Sequence, residues 1–244
     1  AFLFIISLPD DGNESRLKKF FKITLPFTYH NPYLDTVSIP DSEMVFGRAN
    51  EIKELISSPG DAIIFGGRQL GKSTLLQEAE TRFNNPEEGF YAMRGPSLEH
   101  YRGKDSRYMK DDFWKKIGDV FSSKGLLKTK ESYRFEDILN FLNERDDLRI
   151  LFSFDEVDNF LKEDDKNGFP ICTDLKKINL DTKGRFKIVM AGLLSVQRFS
   201  ERPNVPLAQL GGIRNIGMLD KRDAMELIQV PSAFAGYSFD DVSV

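Results

Sequence analysis

The sequence has few of the residues that form disulfides and metal clusters: one cysteine, Cys172, and two histidines among 244 residues. A lone cysteine cannot form an intramolecular disulfide, so we expect a reducing, cytoplasmic location and interpret Cys172 as a small apolar filler. Because no cysteine cluster lies near it, we interpret His100 as a surface residue rather than a metal ligand. These scarcities argue against a disulfide scaffold and a zinc site.

Long apolar runs and an excess of positive charge are also absent. No apolar segment approaches the length that spans a bilayer, and Phe2–Leu8 lacks the basic flank and cleavage site of a signal peptide, so we expect no membrane partner. The 38 acidic residues outnumber the 34 basic ones, and the net charge of −4 disfavours a dedicated nucleic-acid binder. The remaining composition, 40% hydrophobic and 30% charged, supports a sizeable core.

The most informative stretch covers residues 61–76. Four residues in it match the phosphate-binding pattern G-x-x-x-x-G-K-[ST]: Gly66, Gly71, Lys72 and Ser73. An apolar run at 62–65 predicts a buried strand before the pattern, and residues 72–83 predict a helix after it. Glycines allow backbone N–H groups to point at phosphate oxygens, and a helix N-terminus favours anions. The stretch therefore predicts a nucleoside triphosphate site.

Within this site the pattern assigns distinct roles. Lys72 is expected to reach the β- and γ-phosphates as a catalytic group, and the Ser73 hydroxyl is expected to ligate Mg²⁺. The residues predicted to surround the phosphates are Gly66, Gly67, Arg68, Gln69, Leu70, Gly71, Lys72, Ser73 and Thr74. The expected ligands are thus ATP and Mg²⁺.

A second motif begins at Arg149, where a largely apolar run ends in Asp155 and Glu156. This order suits a strand whose C-terminal end carries the acids of a nucleotide hydrolase. We expect Asp155 to hold the Mg²⁺ shell and Glu156 to orient and polarise the attacking water. Asp158, two positions further on, is interpreted first as a helix cap or turn residue and only second as a site residue.

Residues 44–52 contain a hydrophobic-Phe-Gly-Arg-x-x-Glu element about twenty residues before the phosphate-binding loop. This element resembles the entry motif of STAND-type signal-transduction ATPases and related AAA+ initiator ATPases. The glycine-rich motif at 66–73 and the acidic motif at 155–156 are the specific part of the resemblance. The resemblance covers about residues 30–235. It implies that Val45 and Phe46 pack against the adenine and that Arg48 belongs to the same nucleotide-binding element.

The resemblance also implies a polar sensor of the γ-phosphate at the C-terminal end of the strand predicted at 186–191. This sequence departs from that pattern, because Ala191 and Gly192 stand there. The nearest polar candidates are Ser195 and Gln197. An arginine finger to a neighbouring subunit is implied near Arg198 and Arg202.

Strands predicted at 62–65, 89–93, 149–154, 186–191 and 213–217, with helices between them, indicate an α/β fold. We expect a three-layer P-loop NTPase sandwich with a mainly parallel five-stranded sheet and the nucleotide at its C-terminal edge. Three regions are expected: an N-terminal segment and linker at 1–43, the ATPase core at 44–218, and the start of a helical lid at 219–244, after which the sequence ends.

The leading hypothesis is a STAND-like regulatory ATPase of signalling or defence that hydrolyses ATP slowly. Its homo-oligomeric state would change with the nucleotide, and effector or sensor domains of a full-length chain would be its protein partners. One alternative is a DNA-associated AAA+ initiator or transposition-helper ATPase, which shares both motifs. Another is a nucleotide-binding module without turnover, which the displaced sensor favours.

Overall fold

The computed structural model describes residues 42–57, 60–98, 101, 103, 106–200, 206 and 211–234. The predictions made for residues 1–41, His100 and Arg202 lie outside this part of the chain. The chain divides into two units, Ala49–Met218 and a smaller unit made of Ala1–Arg48 with Leu219–Val244.

The larger unit is built on a five-stranded sheet in which every pair of neighbours is parallel, in the order β2-β3-β4-β1-β5. The strands are β1 (Asp61–Phe65), β2 (Phe90–Arg94), β3 (Arg149–Phe154), β4 (Phe186–Gly192) and β5 (Gly211–Asn215). The predicted α/β fold is confirmed, with a fully parallel sheet. The last strand begins two residues earlier than predicted, because Gly211 and Gly212 pair with β1 but carry no apolar side chain.

Helices lie on both faces of this sheet. They are α1 (Ala49–Ser57), α2 (Lys72–Phe83), α3 (Ser106–Ser123), α4 (Phe135–Glu144), α5 (Asp158–Lys166), α6 (Pro170–Asp181) and α7 (Ser195–Ser200), and the smaller unit contains α8 (Lys221–Phe234). The predicted bounds of α2 are confirmed. None of the described helices combines the length and apolar character that a membrane span requires.

In the smaller unit, Asp220 caps α8, because its Oδ1 atom accepts a hydrogen bond of 2.8 Å from the Asp223 N–H. The helix continues through Pro231 to Phe234. Pro231 cannot donate a backbone hydrogen bond, and in the same turn the Ser232 hydroxyl donates to the Ile228 carbonyl at 2.7 Å.

The core of the larger unit is rich in stacked phenylalanine rings. Phe152 and Phe154 of β3 lie with their ring centres 5.1 Å apart, and Phe113 of α3 stacks on Phe154 at 5.6 Å. Phe121, Phe113 and Trp114 are fully buried, and Cys172 is the buried filler that the sequence predicts. Since each buried phenylalanine contributes roughly 1.5–3 kcal/mol, this cluster holds β3 firmly in the sheet.

A polar cluster is buried at the edge of the sheet where the strands begin, opposite to the edge predicted to bind the nucleotide. The Oδ1 atom of Asp61 accepts hydrogen bonds from the Ile188 N–H at 2.7 Å and the Asn179 amide at 2.9 Å. Its Oδ2 atom is buried without a hydrogen-bond partner among the described residues. Burial raises the pKa of Asp61 to about 7, and burial lowers the pKa of neighbouring Lys187 to about 8.

This cluster predicts a pH-dependent stability. Because the pKa of folded Asp61 lies above its ordinary value of 3.8, the folded chain keeps a proton that the unfolded chain releases. The free energy of unfolding therefore falls as the pH rises from about 4 to about 7. Asp61→Asn keeps the Oδ1 acceptor and cannot ionise, so its stability relative to wild type should rise by roughly 2–3 kcal/mol between pH 5 and pH 8.

Urea unfolding of both proteins at several pH values measures this difference. Asp181→Asn, the same substitution at an exposed position at the end of α6, is the control and should change stability equally at each pH. A difference between Asp61→Asn and wild type that does not vary with pH would contradict the buried, protonated Asp61.

Candidate nucleotide-binding site

The loop between β1 and α2 is fixed by the ends of two neighbouring strands. Gly66 donates its N–H to the Gly192 carbonyl at 3.3 Å, which ties the loop to the end of β4. A Cβ atom on Gly66 would lie 2.4 Å from the carbonyl oxygen of Ile216, just after β5, so a side chain at this position would force the backbone apart. The first glycine of the motif is therefore required by packing against the sheet.

Two residues of the loop before α2 have an uncommon backbone conformation. Gln69 and Gly71 both adopt positive φ angles, of 59° and 79°. Gly71 precedes the first helical residue and offers no side-chain cap, so the first N–H groups of α2 are left for another acceptor. Such a helix N-terminus is a general anion site. The conformation of Gln69 was not predicted, since glutamine gives no sequence signal for positive φ.

The Lys72 amino group folds back over the loop. It donates to the Gly67 carbonyl at 2.6 Å and to the Gly66 carbonyl at 3.1 Å. Burial lowers the pKa of Lys72, while attraction to Asp155, and less strongly to Asp158 and Glu156, opposes this shift. The positive charge of Lys72 is therefore attracted by the carboxylates of the acidic motif.

The remaining predicted loop residues differ in exposure. Arg68 and Gln69 are exposed, whereas Gly67, Leu70, Ser73 and Thr74 are partly buried. Ser73 and Thr74 lie in the first turn of α2. Their roles toward phosphate and Mg²⁺ stay predictions.

The acidic motif lies at the same edge of the sheet. Asp155 directly follows β3, and the carboxyl ends of parallel strands share one edge. Its Oδ1 atom accepts a hydrogen bond of 2.9 Å from the N–H of Glu156, which adopts a positive φ of 52° and has an exposed side chain. Non-glycine residues rarely adopt this conformation, and holding one there costs about 1–3 kcal/mol.

Two further charged residues belong to this region and were not predicted. Arg94, at the end of β2, donates from Nε to Glu80 of α2 at 2.9 Å, and its Nη1 atom lies 3.9 Å from Asp155 Oδ2. Glu80 also accepts a hydrogen bond from the Ser153 hydroxyl of β3. This network connects α2 to the Asp155 strand. In the sequence, only the arginine at the end of this predicted strand pointed to such a contact, and strands that end in arginine are common.

Asp158 does not cap its own helix, contrary to its first interpretation. It is the first residue of α5, and its carboxylate bonds the segment after β4 instead. Asp158 Oδ2 accepts from the Leu193 N–H at 2.9 Å, and Oδ1 accepts from the Ser195 hydroxyl. Ser195, one of the two sensor candidates, is thus directed at Asp158, and Gln197 lies further along α7.

The other predicted residues lie apart from these motifs in sequence. Arg198 is exposed on α7. Val45 and Phe46 lie in the smaller unit, where the Val45 N–H donates to the Ser42 carbonyl at 3.2 Å. Beside Arg48, a Cβ atom on Gly47 would lie 2.3 Å from an oxygen of Asp223. The role of this element toward adenine stays a prediction.

The residues at the sheet edge suit ATP and Mg²⁺ chemically. A lysine ammonium and the N–H groups of a helix N-terminus are the usual donors to phosphate, and both occur here, at Lys72 and at the start of α2. Mg²⁺ prefers oxygen ligands such as the Ser73 hydroxyl and the Asp155 carboxylate. The donor set therefore fits both groups.

Comparison with solved structures defines the class of fold. The Walker-type ATPase PABY2304 of Pyrococcus abyssi matches with a TM-score of 0.56 and 16% identity, over 80% of this chain and 60% of that one. The ORC2 protein of Aeropyrum pernix, solved as ADPNP–ADP complexes, matches with a TM-score of 0.52 and 13% identity, over 88% of this chain and 56% of that one. No protein-family model and no curated protein sequence matches the chain.

These similarities and the sheet establish that the chain has the α/β fold of the P-loop NTPases. The ADP form of the A. pernix ORC2 protein gives the same result, with a TM-score of 0.53 and 14% identity over 85% of this chain. The chain spans between about half and two thirds of the length of these proteins, 56–60%.

The site predicts that Lys72 is needed for nucleotide binding. Saturating ATP with Mg²⁺, at one hundred times Kd, should stabilise the wild-type fold by about 2.7 kcal/mol and raise its Tm by roughly 5–10 °C. Lys72→Ala should lose this shift, because no ammonium then faces the phosphates. Thermal melts with and without ATP–Mg²⁺ measure it.

Lys124→Ala, at an exposed lysine beyond α3, is the matched control and should keep the full shift. An equal shift in Lys72→Ala and wild type would place the nucleotide elsewhere.

Proposed function

We propose that the protein binds ATP with Mg²⁺, hydrolyses it slowly and acts as a nucleotide-dependent regulatory switch. The observation that carries this proposal is the position of the two motifs at one edge of the sheet: the loop that leads to Lys72 follows β1, and Asp155 and Glu156 follow β3, on either side of β4. A lysine at the phosphate-binding loop and two carboxylates in the turn after a nearby strand are groups that phosphoryl transfer to water uses.

Each group has a role in the proposed reaction. The loop N–H groups and Lys72 bind and orient the phosphates, so that the terminal phosphorus faces the acidic motif. Ser73 and Asp155 would hold Mg²⁺, which when bound neutralises charge on the phosphate oxygens. Glu156 accepts a proton from the attacking water, since its exposed carboxylate stands next to Asp155.

Two properties of the solved relatives support the nucleotide assignment. One is described as a Walker-type ATPase, and the other was solved with ADPNP and ADP. We propose that nucleotide also controls homo-oligomerisation here, because exposed Arg198 is available to reach the nucleotide of a neighbouring copy. Effector or sensor domains of a longer chain would then receive the signal.

A DNA-associated initiator ATPase is the second candidate, favoured by the fold similarity to ORC2 proteins. The surplus of acidic residues argues against it, since phosphate contacts dominate DNA affinity. A nucleotide-binding module without turnover is the third, favoured by the lack of a polar side chain on Gly192 at the end of β4.

The proposed roles predict that binding and turnover separate at Glu156. Glu156→Gln keeps the shape of the side chain but cannot act as a base, so ATP should still raise the Tm while hydrolysis falls by roughly 10²-fold or more. Phosphate release assays and melts on the same preparation measure both. Glu144→Gln, an exposed glutamate at the end of α4, is the control. Unchanged turnover in Glu156→Gln would move the catalytic base to another residue.

The switch and the DNA-associated ATPase predict different results for self-association and for DNA binding. For the switch, sedimentation should detect a larger species with a non-hydrolysable ATP analogue than with ADP, and Arg198→Ala should weaken that change. Duplex DNA should bind more weakly than about 1 μM at physiological salt, because few cationic contacts are available. Tighter DNA binding together with nucleotide-independent sedimentation would favour the initiator candidate.

A further inference from the structure

We infer that Asp158 is a positioning residue that holds Glu156 in its catalytic conformation by fixing the acidic turn to the end of β4. The inference rests on the proposed hydrolysis and concerns the rate of that reaction. It assigns to Asp158 a role that neither its position as the first residue of α5 nor the motif pattern implies.

The acidic turn is attached to β4 directly after Glu156. The N–H of Val157 donates to the Ala191 carbonyl at 3.1 Å. One residue later, the Asp158 carboxylate accepts from the Leu193 N–H at 2.9 Å and from the Ser195 hydroxyl. Three hydrogen bonds in two consecutive residues therefore join this turn to the segment that leaves β4.

The Asp158 carboxylate lies beside Gly192 at the end of β4. A Cβ atom on Gly192 would lie 3.0 Å from Asp158 Oδ2 and 2.3 Å from a methyl carbon of Val196. Glycine at this position therefore leaves room for the carboxylate. The polar group at the end of β4 comes from α5 across the site rather than from the strand itself.

These hydrogen bonds hold the turn that contains Glu156, whose backbone conformation is unfavourable. Glu156 has a positive φ of 52°, a conformation that is unfavourable for a residue with a side chain. If the following residues were released, the turn could relax and displace the Glu156 carboxylate. A displacement of about 1 Å can lower a rate by roughly 10²-fold. Because the Asp158 charge also acts on Lys72, ATP affinity is compared between variants of equal charge.

Two substitutions at Asp158 separate hydrogen bonding from charge. Asp158→Ala and Asp158→Asn both remove the negative charge near Lys72. The asparagine can still accept from the Leu193 N–H through Oδ1 and donate to Ser195 Oγ through its amide, whereas alanine can do neither. We expect kcat to fall at least about tenfold in Asp158→Ala and to recover to within about threefold of wild type in Asp158→Asn.

Kd for ATP, measured by titration with Mg²⁺, should agree between the two variants within about threefold, since they carry the same charge. Ser195→Ala removes one of the two hydrogen bonds to Asp158 and should lower kcat by about threefold or more, which tests the inference even if Asp158→Ala fails to fold. Asp181→Ala, at the exposed end of α6, is the control for loss of a carboxylate.

Equal kcat in wild type, Asp158→Ala and Ser195→Ala would overturn the positioning role and leave the proposed function intact. Equal losses in Asp158→Ala and Asp158→Asn would also overturn it, because charge and not hydrogen bonding would be responsible. A wild-type chain that binds ATP without any turnover would contradict the proposed hydrolysis, and the positioning role with it.

Discussion

The position of β4 between β1 and β3 determines how the candidate site is assembled. Neighbouring strands lie about 4.8 Å apart, so the phosphate-binding loop after β1 and the acids after β3 are separated by about 10 Å at the sheet edge. That spacing leaves room for a triphosphate terminus between them. The end of β4 contacts both sides, through the Gly192 carbonyl toward the loop and the Ala191 carbonyl toward the acidic turn.

The surrounding structure holds both sides against β4. Phenylalanine stacking anchors β3 from the core, and the Arg94–Glu80 ion pair joins α2 to the neighbourhood of Asp155. The ion pair is partly exposed and contributes less to stability than the buried rings, because solvent screens it. Its effect is on orientation: Arg94 lies close enough to Asp155 to influence where that carboxylate points.

Local sequence patterns predicted the parts of the site but not their connections. Residues 66–74 and Asp155–Glu156 follow strands whose apolar runs are visible in the sequence, so their locations could be predicted. Strand order could not, since pairing of β4 with both β1 and β3 depends on contacts distant in sequence. The bonds of Asp158 to Leu193 and Ser195 could not be predicted for the same reason, since these residues are distant in sequence. Its sequence position suggested a helix cap or turn residue instead.

The central claim is that nucleotide binds across β4, between Lys72 and the acidic turn. A crystal structure of the chain with a non-hydrolysable ATP analogue and Mg²⁺ tests it most directly. We expect the Lys72 amino group to leave the Gly66 and Gly67 carbonyls for the phosphates, with the metal between Ser73 and Asp155. A nucleotide bound elsewhere, or Lys72 still bonded to those carbonyls beside a bound nucleotide, would contradict it.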